Sequence, residues 1–402
     1  MRIALLGAGQ LGGAFALALR TGEVHFTAYD SRPEHATSLH EKGAVDAVAE
    51  TVADAVRHAD IVMLAAPLRS YSALADAMAP ALKPGTIVTD LGSVKSSMQQ
   101  VGARLPTARI VPGHPIAGSE QSGPQAARGD LFRGKLCILT PDATTDAAAL
   151  SAVETLWHIA GADILHMPAS LHDQVYAYVS HLPHFIAFIS AQYYFDIGAK
   201  LGEGDGALRQ FLRIANSSAR MWADIALVNR EALLPAVATY LAVLEHFAAE
   251  LRMDPDPTLG VTVKSTRSPD GLREPEAEGR TRGSDSGGGT PPPTASAKKL
   301  LPRLLASSLI SSVSLFEKQA EFDLRGFSGG GLRDIVAPAM TPPEADMEAI
   351  SNASAAMADH LDAMVMRLRA FERMVGSDDA DALFAHLTHC AECAAQLAHK
   401  RQ

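Results

Sequence analysis

The first part of the chain alternates short apolar runs with helix-like stretches. Six apolar runs have the length of buried strands: residues 2–6, 24–29, 61–66, 86–90, 109–111 and 136–140. Helices are predicted between them, for example over 13–20, which is rich in alanine and leucine, and over 52–58. Strands that alternate with helices are typical of a doubly wound, mostly parallel sheet, so we expect these runs to form one.

The pattern changes near residue 168. From Leu171 to Arg252 apolar residues recur at three- and four-residue spacing, which predicts an all-helical region. Gly, Ser, Pro, Thr and charged residues then dominate, and such a segment buries too little apolar surface to fold, so it predicts a disordered linker. Helical periodicity resumes at Lys298. The expected division is an α/β domain over 1–168, a helical domain over 169–252, a linker over 253–297 and a second helical segment over 298–402.

Composition narrows the class of protein. The 402 residues are 47% hydrophobic, enough for a packed core, and the formal charge of −10 argues against a partner with a phosphate backbone. Three cysteines form no disulfide framework, which favours a reducing compartment. The apolar run at the N-terminus is too short for a signal peptide or a membrane span. We therefore expect a cytoplasmic protein that binds neither nucleic acid nor membrane.

The first strand leads directly into the sequence Gly7-x-Gly9-x-x-Gly12, and a helix follows. In this context the first two glycines let backbone amides approach a pyrophosphate, and the third lets helix and strand pack closely. The next predicted strand ends at Asp30, where an acid would bond ribose hydroxyls and repel a 2′-phosphate. Residues 1–168 are therefore predicted to bind NAD. Arg32 lies close to Asp30 and keeps NADP open.

Three further loops follow predicted strands and are expected to meet at one crevice, since ligands bind beyond the carboxyl ends of such strands. They carry Pro67, Ser93 and His114. Residues 113–123 (GHPIAGSEQSG) contain a proline and several glycines, which predicts a loop that presents His114 rather than burying it. Ser93 could also cap the helix that follows it.

Several blocks together resemble the prephenate/arogenate (cyclohexadienyl) dehydrogenase family of tyrosine biosynthesis. Besides the glycine motif, they are Asp90-x-Gly92-Ser93-Val94-Lys95, the 113–123 run, His172-Asp173 with residues 180–184 (SHLPH), Leu212-Arg213-Ile214-Ala215, and residues 221–225 (MWADI) with Asn229-Arg230. The resemblance covers about residues 1–252. It implies a Rossmann-type domain followed by a helical domain that forms dimers.

The resemblance also implies the chemistry and its residues. The reaction is an oxidative decarboxylation, in which the ring carbinol carbon of prephenate or arogenate gives hydride to the nicotinamide and the ring loses carbon dioxide. By resemblance His114 takes the proton of the ring hydroxyl, Ser93 orients that hydroxyl, and Arg213 binds a substrate carboxylate. Five more residues are implied to line the substrate pocket: Asp173, Ser180, His184, Trp222 and Glu120. Cofactor contacts are expected from Gly7, Gly9, Gly12, Asp30, Pro67 and Ser93.

The segment after the linker looks like a degenerate second copy of the helical domain. Gly206-Ala207-Leu208-Arg209-Gln210 parallels Gly330-Gly331-Leu332-Arg333-Asp334, and Ala223-Asp224 parallels Ala345-Asp346. In this alignment Ser180 faces Ser307, His184 faces Ser311 and Arg213 faces Ala337, so the second copy lacks the substrate-binding groups. The chain is therefore expected to form either a homodimer or an internal pseudo-dimer. Two unrelated amphipathic hairpins would also align this well.

Two other interpretations stay open. One is another two-domain dehydrogenase, of the 3-hydroxyacid or 6-phosphogluconate type, and the 113–123 block argues against it. The other is a dinucleotide-binding regulator descended from the enzyme, which the altered tail keeps open. His386, His389, Cys390 and Cys393 have zinc-ligand composition, but neighbouring positions on one helix cannot all converge, so we expect no metal.

Overall fold

In the computed structural model, residues 1–20, 23–118, 121–201, 205–253, 293–322, 324, 330–337 and 353–399 are described. The predicted α/β domain is built on a six-stranded parallel sheet in the order β3-β2-β1-β4-β5-β6. Its strands are β1 (Arg2–Leu6), β2 (His25–Tyr29), β3 (Ala47–Val48), β4 (Ile61–Leu64), β5 (Ile87–Asp90) and β6 (Arg109–Val111). The helices that connect them are α1 (Gln10–Ala18), α2 (Pro33–Glu41), α3 (Val52–Val56), α4 (Tyr71–Met78) and α5 (Ser96–Arg104). This strand order is that of a Rossmann fold and confirms the predicted fold class.

The prediction that residues 136–140 extend this sheet is wrong. They form β8 (Leu136–Leu139), which lies in a separate three-stranded sheet with β7 (Gly113–Pro115) and β9 (Asp163–His166). β8 runs antiparallel to β7 and parallel to β9, and α6 (Ala147–Ile159) precedes β9. The residues themselves determine that 136–140 form a strand. Which sheet the strand joins depends on contacts with distant parts of the chain, here β7 and β9.

The prediction that His114 lies in a loop that exposes it is also wrong. Residues 113–115 pair with β8 as an edge strand, with His114 opposite Ile138. An edge strand tolerates a proline, because the missing N–H costs no bond inside the sheet. Helix α7 (Ala169–Tyr176) contributes His172 and Tyr176, which contact the histidine ring, so His114 is only 9% exposed.

The helical region begins at α7, and most of its buried side chains are apolar. A π-helical turn (Ala177–His181) joins α7 to α8 (Leu182–Asp196), and Pro183 lies in the first turn of α8, where a proline is tolerated. The following helices are α9 (Gly206–Ala215), α10 (Ala219–Val228) and α11 (Arg230–Met253). One continuous apolar cluster joins this region to the β4 and β5 face of the large sheet. The crevice at the carboxyl end of the sheet therefore lies against the helical region.

Helices resume beyond the predicted linker. They are α12 (Pro293–Ala320), α13 (Gly330–Val336), α14 (Ser354–Gly376) and α15 (Ala380–His399). The predicted linker lies outside the described residues over 254–292, and helix α12 already begins at Pro293. Helices α11 and α12 are long and apolar enough to cross a membrane by composition, a property that buried core helices share. Both pack against α14 and against each other.

Candidate active site

The glycine loop after β1 forms a cradle for a dinucleotide. A Cβ on Gly7 would lie 2.3 Å from the carbonyl oxygen of Ala65, and one on Gly12 would lie 2.3 Å from that of Gly7, so neither position accepts a side chain. Gly7 also has a φ of +114°, which favours glycine. A Cβ on Gly9 would meet nothing within 4 Å. Gly9 precedes α1 without a capping side chain, so the start of the helix faces an open space that can receive a pyrophosphate, and the residues present fit the group.

Asp30 follows β2 and is fixed at the edge of this cradle. Its Oδ2 accepts a hydrogen bond from the backbone N–H of Ala8 at 2.7 Å, and its Oδ1 accepts one from Arg32 at 2.9 Å. An ionised carboxylate has about four acceptor positions, so two remain for hydroxyl groups. The side chain is thus held in place while it keeps capacity to bind a ribose.

The three predicted loops follow β4, β5 and β6, and so lie at the same edge of the sheet. Pro67 is exposed and begins a short 3₁₀ turn (Leu68–Ser70). Ser93 is half-buried. It does not cap α5, because Lys95 holds the N-cap position, and the backbone N–H groups of Lys95 and Ser96 donate to Asp173 on α7 at 2.7 and 2.8 Å.

A buried ion pair supports the strand that carries His114. Lys95 and Asp90 are both fully buried, and Lys95 Nζ lies 2.6 Å from Asp90 Oδ2. The same ammonium donates to the carbonyl oxygen of Gly113, and Asp90 Oδ1 accepts from the N–H of Gly113 at 2.9 Å. Tyr71 and Gly92 also donate to Asp90. Both charges are therefore compensated, and together they hold the N–H and the C=O of Gly113, the residue before His114.

His114 ends a chain of hydrogen bonds that begins at Asp173. The Asp173 Oδ1 and the His172 Nδ1 are 2.8 Å apart, and the His172 Nε2 and the His114 Nδ1 are also 2.8 Å apart. A carboxylate only accepts, so His172 carries its proton on Nδ1 and its Nε2 accepts from His114. His114 then carries its proton on Nδ1. Its Nε2 keeps a lone pair that can accept a proton from a ligand.

The surroundings favour neutral histidine. Burial holds the pKa of His114 well below its usual value, and the nearby His172, Lys95 and His181 lower it further. Burial also lowers the pKa of His172, although Asp173 opposes that shift. The His114 ring meets Tyr176 edge-on at 4.8 Å, and His172 stacks on the same tyrosine at 4.6 Å. His114 is thus neutral and fixed in orientation at pH 7.

The helical side of the crevice carries a second group of predicted residues. Ser180 lies in the π-helical turn, a feature common at functional sites, and its carbonyl oxygen accepts from His184 Nδ1 at 2.8 Å. His184 stacks on Trp222 of α10 with 3.8 Å between ring centroids. Burial lowers the pKa of His184 to about 4, and the Arg213 charge contributes to that shift. The Nε2 of neutral His184 is left as an acceptor.

Arg213 lies in the last turn of α9 and is half-exposed. It forms an ion pair with Asp334 of α13. Glu120, another predicted pocket residue, lies outside the described residues. Asp173 is separate from the other predicted pocket residues: its carboxylate is occupied by His172 and the start of α5, and it is 4% exposed. The structure therefore groups Ser180, His184 and Trp222 and places Asp173 behind His114.

Sequence reasoning missed the residues that support His114. Asp90 and Lys95 belong to a motif that was recognised only for its serine, and nothing in their spacing shows that they meet beneath Gly113. Asn229 was also missed. Its Nδ2 donates to the Asp173 carbonyl oxygen at 3.0 Å and to His181 Nδ1 at 2.9 Å. In the part of the chain that the structure describes, no group of three metal-ligating residues is found. On α15, Cys390 lies beside His386 and Cys393 beside His389, as two separate pairs.

Two family models match the chain. Residues 15–166 match "Prephenate dehydrogenase, nucleotide-binding domain", and residues 168–264 match "Prephenate dehydrogenase, dimerization domain". The second match stops before α12, so the helices from α12 to α15 lie outside both models.

Known proteins extend the same result. The chain is 38% identical to a cyclohexadienyl dehydrogenase of Zymomonas mobilis over 258 residues, which are 62% of this chain and 86% of the relative. It is 30% identical to a prephenate dehydrogenase of Bacillus subtilis, with 58% and 65% of the two chains covered. Among solved structures, the prephenate dehydrogenase of Aquifex aeolicus in complex with hydroxyphenyl propionate and NAD+ is similar with a TM-score of 0.58 and 33% identity, over 63% of this chain and 91% of that one.

Proposed function

The chain belongs to the prephenate dehydrogenase family, and on that premise we propose that it oxidises and decarboxylates prephenate with a nicotinamide dinucleotide. The observation that carries the proposal is the state of His114. It is neutral, its Nδ1 is engaged by His172, and its Nε2 lone pair remains available. A neutral imidazole of fixed tautomer suits the removal of a proton from a ring hydroxyl.

His114 would act twice in the reaction. As the hydride leaves the ring carbinol carbon, Nε2 takes the hydroxyl proton, and a carbonyl forms at that carbon. The bond to the ring carboxylate then breaks, carbon dioxide leaves, and the electron pair of that bond makes the ring aromatic. The resulting phenolate recovers the proton from His114, which returns to its neutral form. The nicotinamide, when bound, supplies the hydride acceptor.

Ser93 and the helical side would hold the substrate. Ser93 follows β5 at the same edge of the sheet as His114 and is half-buried, which suits a group that orients the ring hydroxyl. Arg213 offers a planar fork of donors for a carboxylate. Trp222 has an indole N–H without a protein partner, and it stacks on His184. An aromatic wall with a buried donor suits a ring that bears polar groups.

NAD is the proposed dinucleotide. Asp30 is fixed at the edge of the glycine cradle with two acceptor positions remaining. Its negative charge would repel the 2′-phosphate of NADP, whereas ribose hydroxyls would donate to it. Arg32 is exposed in the same turn, and its backbone N–H donates to the Asp30 carboxylate.

The test is the rate of reduced-cofactor formation with prephenate and with arogenate, each with NAD and with NADP. We expect turnover with prephenate and NAD, and a clear preference for NAD in kcat/KM. Asp30→Asn keeps an oxygen acceptor and removes the charge, so it should reduce that preference about tenfold. Turnover with arogenate alone would reassign the substrate. No turnover with any pair would refute the proposed reaction.

A further inference from the structure

Three helices after residue 293 repeat the order of three helices before 253, whereas α10 and α15 have no counterpart among the described residues. Helix α12 takes the place of α8, α13 that of α9, and α14 that of α11. Helices α9 and α13 both begin with glycine and carry the Leu-Arg pair, at Leu208-Arg209 and at Leu332-Arg333. The parallel at Ala345-Asp346 lies outside the described residues.

The contacts between these two helical sets are reciprocal. Helix α13 packs against α8, as α9 packs against α12. Helix α14 packs against α8, as α11 packs against α12. Two helices also contact their own equivalents, α9 with α13 and α11 with α14. Reciprocal contacts of this kind define a two-fold interface between copies, and two unrelated hairpins have no reason to produce them.

The longest contact is the antiparallel pair of α11 and α14. Arg252 lies beside Asp362, Glu245 beside Arg369, and Arg230 near Asp378, so the residue numbers run in opposite directions. Fully buried leucine and methionine side chains line both helices between these pairs, including Leu244, Leu361, Met364 and Leu368. Such an apolar contact resembles the interface of an obligate dimer more than a contact between mobile domains.

One contact brings the second set to the candidate active site. Arg213 of α9 pairs with Asp334 of α13. At the matching positions of the other copy, Arg213 corresponds to Ala337, and Asp334 corresponds to Gln210. The first copy therefore holds the arginine and the second copy holds the carboxylate, so the two copies together provide one arginine-carboxylate pair. The mirror-image position, with Ala337 and Gln210, provides none.

We propose that residues 293–399 are a built-in partner, a second helical copy that completes one substrate site within a single chain. Asp334 is a positioning residue: it holds the Arg213 guanidinium, the group to which the proposed function assigns a substrate carboxylate. The chain is a monomer, because the face that would receive a second copy is already covered by its own helices. The role given to Arg213 rests on the proposed function, whereas the monomeric state does not.

The mass of the full chain in solution tests the built-in partner independently of activity. Light scattering after size exclusion, at micromolar protein, should give one species near the chain mass of 42.4 kDa. A stable dimer of the whole chain would overturn the proposal, because a second chain would then occupy a face that the structure fills internally. This result holds whichever substrate the enzyme uses.

Substitutions at the α9–α13 contact test the composite site. Asp334→Ala should raise the KM for prephenate about fivefold with kcat within about twofold, as expected for a half-exposed pair that holds a binding group. Asp334→Asn keeps an oxygen acceptor and should recover part of the affinity. Asp362→Ala breaks a comparable interface pair away from Arg213 and should leave both constants unchanged.

Two outcomes would contradict the role of Asp334. An unchanged KM in Asp334→Ala would show that the carboxylate does not position Arg213. A lower KM would show that it competes with the substrate instead. Thermal unfolding of each variant at the wild-type temperature establishes that the fold is intact. If the wild-type chain turns over no substrate but is monomeric, the proposed function fails and the built-in partner stands.

Discussion

The two sides of the candidate site differ in how deeply their charged groups are buried. On the nucleotide side, His114, Lys95 and Asp90 are buried, and every charge there has a partner within hydrogen-bond distance. On the helical side, Arg213 and Asp334 are 49% and 34% exposed and meet between the two helical copies. The first side has a fixed geometry in a medium of low dielectric. The second has charges that water and salt screen.

This difference assigns separate tasks to the two sides. A group fixed in a dry environment acts on the developing charge of a transition state without reorganisation, so its loss should lower kcat. A half-exposed cation holds a carboxylate similarly before and during the reaction, so its loss should raise KM. Each prediction below tests whether kcat and KM separate in this way.

Replacing His114 should have the largest effect. Asn at this position has no group that takes a proton near pH 7, so kcat should fall about 10²- to 10⁴-fold. Binding of NAD, followed by calorimetry, should be unchanged, because the glycine cradle does not involve His114. His40→Asn, an exposed histidine on α2, is the matched control and should keep full activity. A kcat within tenfold of wild type would remove His114 from the chemistry.

Arg213→Gln should show the opposite pattern. Gln keeps donors but loses the charge and the fork, so the KM for prephenate should rise about tenfold while kcat changes by less than about threefold. The rise should shrink in high salt, since the wild-type contact is screened there. Arg104→Gln, which breaks an exposed pair with Asp76, serves as the control. An equal loss in kcat would show that both sides act in the transition state.

On the nucleotide side, the fold was predicted from the sequence more fully than the contacts around His114. Gly7, Gly9, Gly12 and Asp30 lie within one local unit, where a short pattern determines the geometry. His172, the partner of His114, is 58 residues away in the sequence. It lies on α7, and the spacing of apolar residues does not show which side of that helix faces β7. Burial of His114 was missed for the same reason, because β8 and α7 close over it from distant parts of the chain. Asp334 is 121 residues from Arg213, and only the repeated Leu-Arg pair indicated the relation.

His172 should act through His114 alone and so have an intermediate effect. His172→Phe preserves the stack on Tyr176 but leaves the His114 Nδ1 proton without an acceptor, so kcat should fall about fivefold at constant KM. His172→Gln restores an acceptor at the end of the side chain and should recover most of that loss. Equal losses in the two variants, tracked by a lower unfolding temperature, would instead indicate a structural role.

The smallest expected effect is the pH dependence of activity, and it involves one histidine from each side of the site, His114 and His184. The pKa of His114 is well below its usual 6.5, and that of His184 is about 4, so both are neutral at pH 7. A base must be neutral to accept a proton, so activity is lost only as the pH falls through the lowered pKa. Between pH 8 and pH 6.5, kcat/KM for prephenate should therefore change by less than about twofold.

A half-maximal kcat/KM at pH 6.5 or above would contradict this assignment, because it would mean that His114 titrates like an exposed histidine. The free energy of unfolding provides an independent check with the same sign. Unfolded histidines take up protons near pH 6.5, whereas the buried ones do not until their lower pKa, so the unfolded state binds more protons between those values. Stability should then fall as the pH drops below 6.5, by about 1.4 kcal/mol for each unit by which a buried pKa is lowered. His184→Gln should reduce that acid sensitivity, whereas His40→Asn should not, since His40 is exposed in the fold.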